Sequence, residues 1–339
     1  MSMRSFAEIL KRVGNTPHIP LFAQDKVTLY AKLEWFNPFG SIKDRAALWM
    51  IKEAEKRGVL RKGQTILIEP TSGNTGIAIA GIAKALGYSA ELIVPAKVSD
   101  ETKALIRRLG ATILETEDDL CPRVGPGTDQ CIALANSIIK ARPERYLMLN
   151  QYSNESNFLA HYEGTGPEIW SSIKDVTHFV AGVGTGGTLT GVAAYLKKKR
   201  PNVRIIGVQP QKAHHIQGLR NLEESRAPEL LSRRLELIDE WIKVSDEEAF
   251  RAVKFLAESK RLFVGPSSGA VYAAAQEVAG RLNKGNMVLI FADDGRKFRS
   301  LYEAFKVFTR EEFEYYSRHA RYLPENLLFQ EKPLEVYTH

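Results

Sequence analysis

The residue best placed for covalent chemistry is a lysine at the predicted start of a helix. In NPFGSIKDRAALWMIKEAEKRG, residues 37–58, Ser41 with Asp44 three positions on reads as a capping box. Ala47, Leu48, Ile51 and Ala54 follow at helical spacing, so Lys43 falls in the first turn. The positive end of the helix dipole disfavours a protonated amine there and biases it toward the neutral nucleophile. A simply solvated lysine fits the same residues.

Three further segments combine small hydroxyl, amide and glycine residues where a strand runs into a helix. EPTSGNTGIAIA (69–80) places Thr71, Ser72, Gly73, Asn74 and Thr75 at a helix start, where free backbone N–H groups receive a carboxylate or phosphate. AGVGTGGTLTG (181–191) puts Gly184, Thr185, Gly186, Gly187 and Thr188 in a loop whose amides can converge on a phosphate. VGPSSGAVYAAA (264–275) is a third such junction, carrying Ser267. Ordinary helix capping explains part of each. Residues 182–187 also satisfy GxGxxG, so a dinucleotide has to be weighed. The next strand, however, ends in Val208, Gln209 and Pro210, where a ribose-binding site wants an acid.

From about residue 41, strand and helix patterns alternate. TILIEP (65–70), AELIVP (90–95), THFVAGV (177–183), VRIIGVQP (203–210) and MVLIFAD (287–293) are separated by helical stretches such as IAIAGIAKAL, DETKALIRRL and LTGVAAYLKKK. Gly87 and Gly110 stand at expected helix ends. This predicts an α/β fold of parallel sheets flanked by helices. A length of 339 residues suggests about two domains, with a hinge near Asn150 to Asn157.

The net charge of +7 is spread over helix faces, and the one basic run, Lys197 to Arg200, reads as a solvated helix end rather than a nucleic-acid site. Nothing near Cys121 and Cys131 completes a zinc ligand set, so reduced thiols and no metal are expected. Residues 1–12 lack the apolar core of a signal peptide, and no stretch reaches membrane-spanning length. A cytoplasmic protein without membrane partners is expected.

Taken in order, GSIKDR, PTSGNTG, GVGTGGTLTG and GPSSGA resemble the fold-type II pyridoxal-phosphate family of cysteine synthases and cystathionine β-synthases, and the likeness includes YSNESNFLAHYEGTGPEIW between the halves. The resemblance implies two domains of the tryptophan-synthase-β-like kind. The smaller, mobile one would span 35–151, the larger would combine 1–34 with 152–320, and a tail would follow over 321–339. It implies pyridoxal 5′-phosphate as cofactor, with Lys43 forming the internal Schiff base and Asn74 bonding the phenolic oxygen. Gly184, Thr185, Gly186, Gly187 and Thr188 would hold the phosphate, and Ser267 would meet the ring nitrogen. Thr71, Ser72, Gly73, Thr75 and Gln151 would grip the substrate carboxylate. A neutral serine at the ring nitrogen makes a weaker electron sink, which suits β-elimination to an aminoacrylate followed by addition of sulfur. Lys43, once released, is the natural base for the α-proton.

QGLRNLEES places Arg220 in a segment resembling that of the O-phosphoserine-dependent cysteine synthases, where an arginine would bind the leaving phosphate. A surface arginine pairing with Glu223 or Glu224 is the alternative, and Arg204 and Lys212 are less specific cations. Asp293 and Asp294 in FADDGRKFRSLY resemble the same branch, without a role derivable from sequence. His214 and His215 read as a solvent-facing pair for which the sequence places no carboxylate. The resemblance further implies a homodimer, with sulfide or a thiocarboxylated carrier protein as sulfur donor. O-acetylserine sulfhydrylase, cystathionine β-synthase and, remotely, a nicotinamide-dependent (NAD) oxidoreductase remain open.

Overall fold

A computed structural model describes residues 8–24, 27–96, 98–117, 130–173 and 175–323. Cys121 and the stretch from Pro324 onward lie outside them.

The chain opens with an antiparallel pair absent from the sequence reading, β1 (His18–Gln24) and β2 (Val27–Leu33). Helix α1 (Lys43–Lys56) follows. Then come β3 (Ile66–Pro70), α2 (Asn74–Leu86), β4 (Ser89–Pro95), α3 (Asp100–Arg108), β5 (Thr112–Thr116), α4 (Gln130–Ala141) and β6 (Tyr146–Met148). These strands form a parallel sheet in the order β5-β4-β3-β6. Gly87 and Gly110 end their helices with φ of 78° and 91°, backbone that residues with a Cβ rarely adopt.

The second half runs α5 (Glu155–Ala160), a π-turn (His161–Thr165), α6 (Gly166–Ser172), β7 (Val176–Gly182), α7 (Gly187–Lys199) and β8 (Arg204–Pro210). It continues with α8 (Glu229–Ser232), β9 (Glu240–Val244), α9 (Asp246–Lys260), α10 (Pro266–Ala279), β10 (Gly285–Phe291), α11 (Arg299–Ala304) and α12 (Arg310–His319). Its sheet has the order β1-β2-β10-β7-β8-β9, parallel except at β1. The fold is thus two α/β domains, each a mostly parallel sheet flanked by helices.

Period-2 alternation sends neighbouring residues to opposite faces, and both faces are covered. Val180, Leu289 and Phe291 join one buried cluster with α9 and α10, while Phe179, Val288 and Ile290 join another with α7. In the four-stranded sheet Leu67, Leu92 and Val94 join α1 and α2, whereas Ile68 and Ile93 face α4. The loops after β3, β7, β8 and β10 leave the carboxyl ends of parallel strands, the usual place for a ligand in such sheets.

Candidate active site

Two connected cavities lie at those strand ends. The larger, of about 460 Å³, is walled by Lys43, Thr71 to Thr75, Gln151 and the loop 213–221. A smaller one of about 60 Å³ shares Lys43, Asn74, Gly184 and Thr185 with it and adds Gly186, Thr188 and Ser267.

Lys43 is the first residue of α1, and the segment before it is fastened to the end of β10. The Ile42 N–H donates to the Ala292 carbonyl at 3.0 Å, and Ser41 bridges Asp293. Among the described residues no carboxylate pairs with Lys43, and burial lowers its amine to about 8. The expected capping box does not form. Ser41 Oγ accepts the Lys43 N–H at 3.2 Å, but Asp44 Oδ2 reaches back to the Phe39 N–H at 2.6 Å. The Asp44 oxygen that would return to the Ser41 N–H is taken by Phe39, so the second half of the box is missing. Asp44 is buried, its other oxygen has no hydrogen bond, and burial pushes its carboxyl up to about 8.

The turn after β3 is organised by Thr71, whose Oγ1 accepts the N–H groups of Gly76 at 3.0 Å and Gly73 at 3.3 Å. Thr75 donates to Gln151 Oε1 at 2.8 Å. Gln151 is held by Glu69, which sequence reasoning passed over as a strand residue. Its carboxylate accepts the N–H of Asn150 at 2.9 Å and of Gln151 at 3.0 Å. Thr71, Ser72, Gly73, Thr75 and Gln151 therefore share one wall of the larger cavity.

The glycine loop is shaped by close approaches. A Cβ on Gly187 would lie 2.2 Å from Asn157 Oδ1, and one on Gly184 would lie 2.5 Å from the Gly218 carbonyl oxygen. Gly186 has φ of +88°. Thr185 Oγ1 accepts from Asn157 Nδ2 at 3.0 Å. Thr188 Oγ1 lies 3.2 Å from Nε2 of His161, a buried ring that burial keeps neutral down to about 3. Asn157 and His161 were inside the resembling segment but had no assigned role. Ser267, buried in the first turn of α10, lines the same small cavity as Lys43.

Asn74 is held on both sides of its amide. Its Nδ2 donates to Asp293 Oδ2 at 2.6 Å, and Lys297 Nζ donates to its Oδ1 at 2.6 Å. Asp294 instead caps the short turn Gly295–Lys297 and pairs with Arg296 at 2.6 Å.

Arg220 is 7% exposed and lines the larger cavity. The surface-pairing alternative does not hold. Glu223 pairs with Lys212 and Lys243, and Glu224 accepts the Ala213 N–H at 3.0 and 3.1 Å. The Arg220 guanidinium sits 5.1 Å above the Tyr152 ring centre, and its buried Nη1 has no hydrogen bond. Arg204 is half exposed and lies 3.7 Å from Asp239. His214 and His215 line the cavity, and the carboxylate that sequence did not place is Asp246, 2.8 Å from His215 Nδ1. Cys131 is buried, its Sγ 2.9 Å from Thr116 Oγ1.

A dinucleotide is poorly served at the end of β8. Gln209 Oε1 accepts the Leu222 N–H at 3.1 Å, Asn221 donates to the Pro210 carbonyl at 2.8 Å, and no acid stands there. No metal-binding group of His, Cys, Asp or Glu occurs among the described residues, and none of their helices is long and apolar enough to cross a membrane. A phosphate-bearing aldehyde does fit, because a carboxylate-free lysine, a glycine loop that excludes side chains and a buried hydroxyl border one small cavity.

Residues 9–293 match the family described as pyridoxal-phosphate dependent enzyme. The chain is 43% identical over 302 residues to a cysteine synthase of Aquifex aeolicus, covering 86% of this chain and 90% of that one. It is 40% identical over 293 residues to cysteine synthase B of Salmonella typhimurium, covering 85% and 93%. The crystal structure of an O-acetylserine dependent cystathionine beta-synthase from Helicobacter pylori is similar with a TM-score of 0.77 at 34% identity, over 86% of this chain and 96% of that one. The chain therefore belongs to the pyridoxal-phosphate-dependent enzymes, in the cysteine synthase family that carries out β-replacement on an amino-acid substrate.

Proposed function

We propose that this enzyme makes L-cysteine from O-phospho-L-serine, releasing phosphate and adding sulfide or the sulfur of a protein thiocarboxylate. The observation that carries this reading is Arg220, a buried cation on the cavity wall with no carboxylate partner among the described residues and an unbonded Nη1. An unpaired guanidinium is costly to bury, and a leaving phosphate of about two negative charges offsets that cost with bidentate hydrogen bonds. An acetyl leaving group has no charge to offer it. The name of the Helicobacter pylori relative favours O-acetylserine as the second reading.

When bound, pyridoxal 5′-phosphate supplies an aldehyde that links to an amine and a conjugated ring that delocalises electrons from the substrate α-carbon. The Gly184 to Thr188 amides and hydroxyls would hold its phosphate. Asn74 would donate its remaining amide hydrogen to the ring oxygen, and Ser267 would meet the ring nitrogen without charging it. Lys43 Nζ would hold the cofactor and, when free, would take the substrate α-proton. An amine near 8 is well matched to that transfer at neutral pH. Thr71, Ser72, Gly73, Thr75 and Gln151 hold the substrate carboxylate, and Arg220 receives the departing phosphate. We further propose a homodimer whose smaller domain, residues 35–151, closes over the substrate on the larger one.

Kinetics with O-phosphoserine and O-acetylserine side by side, using sulfide and then a thiocarboxylate donor, test the substrate. Arg220→Ala is expected to lower kcat/KM for phosphoserine by about a hundredfold and to change that for acetylserine by less than about threefold. Unchanged selectivity in that variant sinks the phosphate assignment.

A further inference from the structure

We infer that Lys297 and Asp293 form a positioning pair that fixes the Asn74 amide across the junction of the two domains and so sets which of its hydrogens faces the cofactor cavity. This rests on the reading that Asn74 donates to the cofactor. Asn74 begins α2, which covers the four-stranded sheet, whereas Asp293 and Lys297 follow β10 of the six-stranded sheet. The carboxylate takes one Nδ2 hydrogen at 2.6 Å and the ammonium takes Oδ1 at 2.6 Å. A flipped amide would set its NH2 against the ammonium and its carbonyl against the carboxylate, so only one orientation is compatible with the pair. The second Nδ2 hydrogen is then left for a ligand, and Asn74 borders both cavities.

The pair is itself held rigidly. Lys297 Nζ also donates to the Gly40 carbonyl at 2.9 Å and lies 3.6 Å from Asp293 Oδ2, and both side chains are buried. A Cβ on Gly265 would sit 2.0 Å from Asp293 Oδ1, so the glycine just before Pro266 and Ser267 makes room for this carboxylate. Three segments of the site, those of Lys43, Asn74 and Ser267, thus converge on one ion pair, whose Lys297 also borders the larger cavity.

The test uses holoenzyme variants Lys297→Met, Lys297→Arg, Asp293→Asn and Asn74→Ala. Lys297→Met is expected to keep cofactor on Lys43, shown by borohydride trapping and mass spectrometry. It should change the ratio of the visible to near-ultraviolet cofactor bands and lower kcat by about tenfold to a hundredfold, the rate equivalent of one charge-assisted hydrogen bond. Lys297→Arg should restore most of both. In the Asn74→Ala background, Lys297→Met should add less than about threefold, because the two act as one unit. Additive losses there, or a Lys297→Met spectrum identical to the parent's, overturn the inference. So does loss of cofactor and of thermal stability together in Lys297→Met, Lys297→Arg and Asp293→Asn alike, which marks a structural pair. An Asn74→Ala spectrum identical to the parent's instead removes the Asn74 assignment itself.

Discussion

Arg45 and Glu168 meet in a bidentate pair, Nη1 to Oε1 and Nη2 to Oε2 both at 2.7 Å, although 123 residues separate them. Arg45 also donates to the fully buried Glu34 through Nε at 2.7 Å, and Lys32 adds a second cation 2.7 Å from Glu168. The cluster anchors the first turn of α1, and with it Lys43, to α6 of the larger domain. The cations hold both carboxyls below their usual range against the opposing effect of burial.

Removing one partner of such a cluster leaves a buried charge uncompensated. Arg45→Met should destabilise the protein by about 3–5 kcal/mol, measured by urea unfolding. Exposed pairs such as Arg251 with Glu247 should change stability by less than about 1 kcal/mol when broken.

The Lys43 amine gives a pH signature. Its value is depressed from 10.5 to about 8, so the neutral nucleophile becomes the major form above about 8. Covalent capture of cofactor by the apo-protein should accelerate about tenfold per pH unit below that value and level off above it, followed by the visible band. Lys43→Ala should show no borohydride-trapped adduct at any pH.

Glu69 carries a stability signature of opposite kind. Burial raises its carboxyl from 4.5 to about 7 despite the backbone N–H bonds it accepts. A raised folded value means the stabilising contribution is complete below about 4.5 and is lost as pH rises through about 7. The stability of the parent relative to Glu69→Gln should therefore fall across that interval, by at most about 3 kcal/mol, in denaturation curves taken at a series of pH values. The variant should also raise KM for the amino-acid substrate, because Gln151 loses its anchor.

Gly184→Ala should weaken cofactor retention by about tenfold or more, read by dialysis and absorbance. The new methyl would meet the Gly218 carbonyl oxygen at 2.5 Å, a backbone atom that cannot rotate away.

Much of the site was legible in the chain order because its parts are local. Each of the segments around Lys43, Thr71, Gly184 and Ser267 is a short run of recognisable residue types, and strand and helix periods placed those runs between the right elements, although the contacts that require Gly184, Gly187 and Gly265 come from Gly218, Asn157 and Asp293. Strands β1 and β2 escaped because their role is to extend a sheet whose next member, β10, lies some 250 residues further along. The capping box failed because Asp44 bonds the Phe39 N–H instead of that of Ser41, in a segment that β10 fastens through Ile42 and Ala292.

Sequence by itself determined the candidate lysine, the candidate glycine loop and the family resemblance, since these depend on residue type and local spacing. Tertiary structure alone decided which charges are paired. It left Arg220 without a carboxylate among the described residues, gave His215 its Asp246, joined Arg45 to Glu168 and set Asn74 between Asp293 and Lys297. Hydrogen bonds and ion pairs act over a few ångströms, and only the folded chain brings residues so distant in sequence within that reach.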